Sequence, residues 1–307
     1  GCHCFRDCAR WRQGGCRECP QLGPSKSGGD LAAANFAAKR QGYADLDLHI
    51  VTPSVFLGKC VAESILFRDF PHTVIPNGFP LDELRPLDRV ATRIALNLTP
   101  DRSIILFGAD NCGNKNKGLH LLLEALPQLV EKWQNKPPVL VVFGIPSGIP
   151  PMPSGFECHV LGRLSGNSAL SRAYSAANVF VLPSMEENLP NVIIEAQACG
   201  TPSVGFAIGG IPDIIAGPTL GRLAKPFDTA DLADKIREVL MESPEEAAAA
   251  RKDCRKHAEE RYSQYAQTVA YLQLYRQLLG LPAIEPVTSL MDTRPTNESP
   301  ASRTLVT

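Results

Sequence analysis

Val179-Phe180-Val181-Leu182-Pro183-Ser184-Met185-Glu186-Glu187-Asn188-Leu189-Pro190-Asn191-Val192-Ile193-Ile194-Glu195-Ala196 is the stretch from which the architecture of this chain is read. The apolar run Val179 to Leu182 is a strand, and Pro183-Ser184 ends it in a turn. Pro190 stands where a helix begins, because its missing N–H is one of the unpaired donors of a first turn in any case. Glu187 is then carried on the intervening loop, and Glu195 lies one to two turns inside the helix, about 7.5 Å of axial rise beyond Pro190. Two carboxylates therefore flank a helix N-terminus at the carboxyl edge of a sheet. The free N–H groups and positive dipole end of such a helix suit a diphosphate, and neighbouring carboxylates accept hydrogen bonds from sugar hydroxyls. Alone, a Glu pair around a helix start is ordinary dipole complementation. What distinguishes this one is its surroundings.

On either side of that stretch, short β-branched runs alternate with helical patterns, the order expected of an α/β chain with a parallel sheet. Strands are expected at Leu48 to Val51, Thr73 to Ile75, Ile104 to Phe107, Val139 to Phe143, Cys158 to Leu161, Val179 to Leu182 and Ser203 to Phe206. Leu119, Leu122, Leu126, Leu129 and Trp133 recur at helical spacing, as do Leu232, Ile236, Val239 and Leu240 behind Asp228. Ser243-Pro244-Glu245-Glu246 reads as an N-cap, a first-turn proline and a capping-box glutamate. A last helix carries Tyr262, Tyr265, Val269, Leu272, Tyr275 and Leu279 and stops at Gly280 and Pro282. Pro76-Asn77-Gly78-Phe79-Pro80 is a rigid turn between two α/β units, of which residues 1–76 supply two strands and residues 81–257 five.

These segments, in this order, resemble family-4 (group 1) glycosyltransferases. Glu187 and Glu195, inside Pro-Ser…Glu-Asn-Leu-Pro-Asn…Glu-Ala and followed by Cys199-Gly200-Thr201-Pro202, are similar to the family's E-x7-E region. Val74-Ile75-Pro76-Asn77-Gly78 resembles its interdomain crossing, Lys117-Gly118 its phosphate-binding Lys-Gly, and Gly209-Gly210-Ile211-Pro212 its glycine loop. The resemblance runs over roughly residues 45–280. It implies an α/β, GT-B type architecture of two Rossmann-like domains, the N-terminal one incomplete here. It also implies a retaining hexosyltransferase that uses a nucleotide-sugar donor (a UDP- or GDP-sugar), without a catalytic metal.

The same resemblance implies roles at matching positions. Glu195 would hydrogen-bond the ribose hydroxyls, Glu187 would contact the donor sugar near the reacting carbon, and Lys117 would neutralise the diphosphate leaving group. Backbone N–H groups of Asn188, Leu189, Pro190 and Asn191 mark the segment holding sugar and phosphate, although Pro190 itself has no N–H to give. Many members carry an Arg directly after the glycine that ends the first donor-domain strand. Here Gly108 is followed by Ala109, and Lys115 on the same loop is the substitute cation, a point charge and not a bidentate fork.

Charge names no partner: 31 Lys and Arg balance 32 Asp and Glu, so no global field draws nucleic acid. The uncharged window Pro137 to Phe156 holds six prolines and three glycines and cannot span a bilayer as a helix. Five of ten cysteines fall in the first nineteen residues, a local cluster that suits a reducing compartment better than a stapled extracellular fold. Cys16-Arg17-Glu18-Cys19 is a C-x2-C knuckle that Cys2 and Cys8, or His3 and Cys4, would complete as a structural zinc site. Reduced thiols and two disulfides are the other readings. A similar Gly-Cys-His…Cys-Pro segment lies late in the N-terminal domain of colanic-acid type members, which implies that sequence precedes Gly1. Asp45-Leu46-Asp47 imitates a metal motif of another glycosyltransferase fold, but Asp before a strand is a common turn residue.

The expected organisation is a remnant of the acceptor domain over residues 1–78, with its Cys-rich segment 1–20. A donor domain at 79–258, a crossing helix at 259–280 and a disordered tail at 281–307 follow it. The expected acceptor is a saccharide or a lipid-linked oligosaccharide in polysaccharide and cell-surface glycan synthesis. The expected location is cytoplasmic, with peripheral contact at the inner membrane surface. The alternatives are a nucleotide-sugar hydrolase or epimerase of the same fold, and a non-catalytic nucleotide-sugar-binding subunit.

Overall fold

The computed structural model describes residue 8 and residues 10–19, 29–131, 133 and 136–283. Contacts divide the chain into two compact units, Gly1–Thr268 and Val269–Thr307. The first opens with helices α1 (Arg10–Gln13) and α2 (Leu31–Tyr43), the latter capped by the Asp30 carboxylate accepting from the Ala32 and Ala33 N–H groups. A small βαβ element comes next: β1 (Ile50–Thr52), α3 (Val55–Glu63) and β2 (His72–Val74), with β1 and β2 parallel and Ile50 opposite His72. Ser54 caps α3 through the Leu57 N–H. His49, read as a strand-edge residue, ties the two strands through Thr73 Oγ1 at 2.8 Å.

The larger part contains α4 (Arg89–Ala95), β3 (Ile104–Asn111), a 3-10 turn at Lys115–Lys117, α5 (Leu119–Glu131), β4 (Val139–Ile145) and β5 (Cys158–Gly162). After these come α6 (Asn167–Ala176), β6 (Val179–Leu182), α7 (Asn191–Ala198), β7 (Ser203–Phe206), α8 (Ile211–Ile214), β8 (Gly221–Ala224), α9 (Thr229–Leu240) and α10 (Pro244–Tyr262). The six strands form one sheet in the order β5-β4-β3-β6-β7-β8, and every pair is parallel. Counted within the sheet this is 3-2-1-4-5-6, the doubly wound order, and its direction reverses between β3 and β6.

Strand alternation divides the core into two layers. Ile104, Leu106, Val141, Phe143, Phe180 and Leu182 face a cluster with Tyr174 of α6, Ile193 and Ile194 of α7, and Ala258 and Tyr262 of α10. Ile105, Phe107, Leu140, Val142, Val179 and Val181 face the opposite cluster, filled by the leucines of α5 and by Leu232, Ile236 and Val239 of α9. The helical spacings read from the sequence are the faces that bury these residues. The uncharged window from Pro137 becomes β4 and the loop after it. Among the described residues no helix is long and apolar enough to cross a membrane.

Three expectations need correction. The sheet has a sixth strand, β8, whose Gly-Arg-Leu-Ala sequence contains one large apolar side chain and so carries no strand signal. The expected crossing helix from residue 259 is two helices, because α10 ends at Tyr262 and α11 (Gln264–Leu278) begins after Ser263. Ser263 is extended (φ −71°, ψ 150°) and bridges Phe79: the Phe79 N–H donates to Tyr262 O at 2.7 Å, and the Gln264 N–H to Phe79 O at 3.3 Å. Helices α2 and α3 also occupy residues in which no helix was read, since α2 is alanine-rich with no apolar stripe. The second unit carries the remainder of α11, closed by left-handed Gly280 with the Leu281 N–H on Arg276 O. The tail expected to be disordered lies outside the described residues beyond 283.

Candidate active site

In a doubly wound sheet ligands bind beyond the carboxyl ends of the strands where the order reverses, here the loops after β3 and β6. Those loops carry Lys117 and Glu187. Lys117 Nζ lies 2.7 Å from Glu187 Oε1, with 34% of the lysine side chain and 11% of the glutamate side chain exposed. Ser184 Oγ donates to the same oxygen at 2.8 Å, so two donors from two loops converge on one carboxylate.

The backbone makes that convergence possible. Gly118 is left-handed (φ +73°), and a Cβ there would lie 1.8 Å from Pro183 O, so the turn after the lysine fits flat against the end of β6. The Met185 N–H donates to Asn116 O at 2.8 Å and stitches the two loops together. From the other side, a Cβ on Gly209 (φ +52°) would meet Glu187 O at 1.8 Å and one on Gly210 would meet Asn188 O at 1.7 Å. The glycine loop is therefore the wall against which Glu187 and Asn188 rest. Gly108 serves packing: a Cβ there would lie 2.0 Å from the Phe143 ring.

Helix α7 starts at this point with Pro190 as its N-cap and no side-chain cap; the Ile193 N–H bonds back to Pro190 O at 3.1 Å, and an uncapped helix start of this kind suits an anion. Asn188 is exposed, Leu189 and Pro190 are buried, and Asn191 is exposed. Within the helix, Glu195 Oε2 accepts from the Tyr174 hydroxyl at 2.9 Å, and Tyr174 is fully buried. Burial raises the Glu195 pKa above the usual carboxylate range, and the Tyr174 hydrogen bond offsets part of this. Ala109 is buried and Lys115 is exposed, so the cations of this edge, Lys115 and the Glu187-paired Lys117, sit on the 3-10 turn and not at the end of β3.

Five residues at the site escaped sequence reasoning. Glu186 Oε2 is buried without a hydrogen-bond partner beside the Glu187 loop. Tyr174 orients Glu195 from a helix twenty-one positions upstream. Ser54 Oγ donates to Asn188 Oδ1 at 2.7 Å, and the Phe56 N–H donates to Asp213 Oδ2 at 3.1 Å, so the start of α3 closes against the loop after β6 and against α8. No motif spacing reports pairs this far apart in sequence.

The Cys-rich segment is described only in part. Cys2, His3 and Cys4 lie outside the described residues, and among those described no three His, Cys, Asp or Glu side chains are gathered as a metal would require. Cys8, Cys16 and Cys19 carry no disulfide among the described residues, and the fourth ligand expected beside them lies outside those residues. The turn is closed by other means: Arg10 Nη1 donates to Arg17 O at 2.5 Å and Glu18 O at 2.6 Å, and the Glu18 N–H donates to Asp30 Oδ2 at 2.6 Å. Burial, with the neighbouring Cys8 and Cys19, pushes the Cys16 thiol up.

Residues 102–242 match the family described as glycosyl transferases group 1, and they contain β3 to α9 with Lys117, Glu187 and Glu195. Among curated proteins, a D-inositol 3-phosphate glycosyltransferase of Saccharomonospora viridis is 31% identical over 260 residues, covering 79% of this chain and 58% of the relative. A D-inositol 3-phosphate glycosyltransferase 2 of Catenulispora acidiphila is 32% identical over 204 residues, covering 61% of this chain and 46% of its own length. The chain thus spans about half the length of these relatives. Their name is not that of the colanic-acid type to which the Cys-rich segment was likened.

Among solved structures, sucrose-phosphate synthase (tll1590) from Thermosynechococcus elongatus is similar with a TM-score of 0.63 and 25% identity over 80% of this chain and 62% of that one. Anabaena Alr3699/HepE, solved in complex with UDP-glucose, has a TM-score of 0.61 at 17% identity over 81% of this chain and 68% of that one, a likeness of fold. The fold class is α/β with parallel sheets, as in these GT-B neighbours. The family match and the relatives' names support a transferase.

Proposed function

We propose that this chain carries the donor half of a retaining glycosyltransferase, which moves a hexosyl group from a nucleoside-diphosphate sugar to an acceptor hydroxyl. The observation that carries the reading is the meeting of Lys117 and Glu187 at the reversal point of the sheet, beside the uncapped start of α7. In the proposed step the bond between the anomeric carbon and the diphosphate oxygen breaks, the acceptor oxygen bonds that carbon from the same face, and its proton leaves with the nucleotide. Negative charge grows on the diphosphate, where Lys117, Lys115 and the N–H groups of the 188–191 segment that have one stabilise it electrostatically. Glu187 faces the sugar once Lys117 turns to phosphate, and Glu195, with one oxygen held by Tyr174, keeps the other for ribose hydroxyls. A UDP-sugar is the favoured donor because the structural neighbour Alr3699/HepE was solved with UDP-glucose.

A phosphorylated polyol is the acceptor favoured by the relatives' printed name, D-inositol 3-phosphate glycosyltransferase. A saccharide or lipid-linked oligosaccharide is the second reading, favoured by the sequence resemblance, and would put the reaction at the inner membrane surface. Residues 1–78 are assigned to the acceptor domain and 79–258 to the donor domain.

Calorimetric titration with UDP and GDP tests the donor site directly. Saturable binding of one of them is expected, weakened about 10- to 100-fold by Lys117→Ala, the effect of losing one charge-assisted contact. Absence of saturable binding by either nucleotide overturns the donor-site assignment. NMR of the anomeric proton of the product distinguishes retention from inversion.

A further inference from the structure

The turn after α1, helix α2 and the chain just beyond α3 enclose a cavity of about 720 Å³ to which none of the loops after β3 and β6 contributes. Its walls are tied to one another. Gly15 is left-handed (φ +72°), and a Cβ there would lie 2.7 Å from Cε1 of Phe36, so the turn rests directly on the α2 ring. The Ile65 N–H donates to Trp11 O at 3.4 Å, and Arg12 Nε pairs with Glu63 Oε2 at 2.7 Å, which joins α1 to the end of α3.

Three arginines line this space: Arg17 from the turn, Arg40 from the last turn of α2 and Arg68 from the chain beyond α3. All three are exposed, so a ligand reaches them from solvent. Among the described residues the lining holds no carboxylate. The acids close by are occupied or loosely placed. Asp30 accepts from the Glu18, Ala32 and Ala33 N–H groups, and these bonds, the Glu18 one first, hold its carboxyl below the usual range, with Arg17 the smallest contributor. Asp69 lies 4.0 Å from Arg68 Nε, and both side chains are more than half exposed.

Between the cations the lining is apolar, with the Phe36 ring, Ala37 and Ile65. Like charges around a concave apolar wall concentrate their field on an anion, and guanidinium forks match the geometry of phosphate oxygens. The volume is far larger than a bare phosphate ion fills and is that of clefts which take whole small molecules.

We propose that this cavity binds a phosphomonoester, with its phosphate among Arg17, Arg40 and Arg68 and its organic part against Phe36 and Ile65. The site is separate from that of the nucleotide. Ile65 and Arg68 follow the C-terminal end of α3, whereas the loop after β6 and helix α8 meet its N-terminal end at Ser54 and Phe56. The nine residues of α3 place about 13 Å between the two ends.

Calorimetric titration of the full chain with 1-naphthyl phosphate and, at equal ionic strength, with inorganic phosphate tests the site. The naphthyl ester is expected to bind saturably and about tenfold or more tighter than the ion, because its ring adds apolar contact. Arg40→Gln and Arg68→Gln, both at exposed positions, are each expected to weaken it about tenfold through loss of a charge-assisted contact. Ala37→Trp keeps every charge and fills the cavity from an exposed position, so it is expected to abolish binding that a general attraction of anions would leave intact. Lys117→Ala is expected to bind the ester as the unaltered chain does. No saturable binding, equal affinity for the bare ion, binding that survives Ala37→Trp or both arginine variants, or binding that is lost with Lys117 overturns the proposal.

Discussion

Glu195 is held between two opposing demands. On the proposed function its position on α7 gives it one oxygen for the ribose, yet burial raises its pKa, and the single bond from Tyr174 repays only part of the desolvation. A carboxylate with a raised folded-state pKa contributes stability that is fully present below its unfolded pKa and is lost as pH rises through the folded value. Ionised Glu195 therefore destabilises the fold at neutral pH. Glu195→Gln, which still accepts from Tyr174, is expected to stabilise the chain by about 0.5–2 kcal/mol at pH 7.5 while lowering nucleotide affinity. Urea unfolding at pH 7.5 and near pH 4 checks this, because the gain should shrink at the lower pH. A gain of equal size at both would show that charge is not the cause. Lys117 and Glu187 face the complementary situation: their ion pair satisfies both groups, and on the proposed function a diphosphate must compete with Glu187 for the lysine.

The turn Lys115–Lys117 and the loop after β6 act as one piece because Gly118 lets them touch. Gly118→Ala forces a Cβ into Pro183 O and an L-residue into the left-handed region, a conformational cost of about 1–2 kcal/mol before any shift of backbone. The variant is expected to unfold at lower urea and to bind nucleotide diphosphate more weakly than a surface control such as Lys235→Ala. Full nucleotide affinity in a destabilised Gly118→Ala chain would falsify the claim that this contact positions Lys117. Ser263 makes the same point for the helices: one extended residue, with its Oγ accepting the Ala266 N–H at 3.1 Å, turns an apparently continuous helical run into α10 and α11.

The small βαβ element is joined to the six-stranded part by the start of α3. There the Phe56 N–H donates to Asp213 Oδ2, and Ser54 Oγ donates to Asn188 Oδ1. A carboxylate on a helix N-terminus contributes typically 0.3–1 kcal/mol, so Asp213→Asn is expected to leave global stability nearly unchanged. Faster hydrogen exchange at the first-turn amides of α3 is its expected signature. Unchanged exchange there would mean that the contact does not hold the two parts together.

Periodicity and turn chemistry made much of this legible from the residues. Val179 to Leu182 and Ser203 to Phe206 are strands with the bounds read from their apolar runs, and the helix expected at Pro190 is α7. Such signals are local, since a buried parallel strand needs a continuous apolar run and a helix start needs a cap within a few residues. β8 was illegible because its neighbour β7, and not its own side chains, makes it a strand. The pairing of Lys117 with Glu187, the support of Glu195 by Tyr174, and the latch from Ser54 and Phe56 were equally hidden. Each joins residues separated by 21 to 157 positions. Pattern along a chain encodes which faces are apolar and where elements stop. Distance across a packed interior depends on strand order and on how closely glycines let loops approach, and those arise only when the sheet assembles.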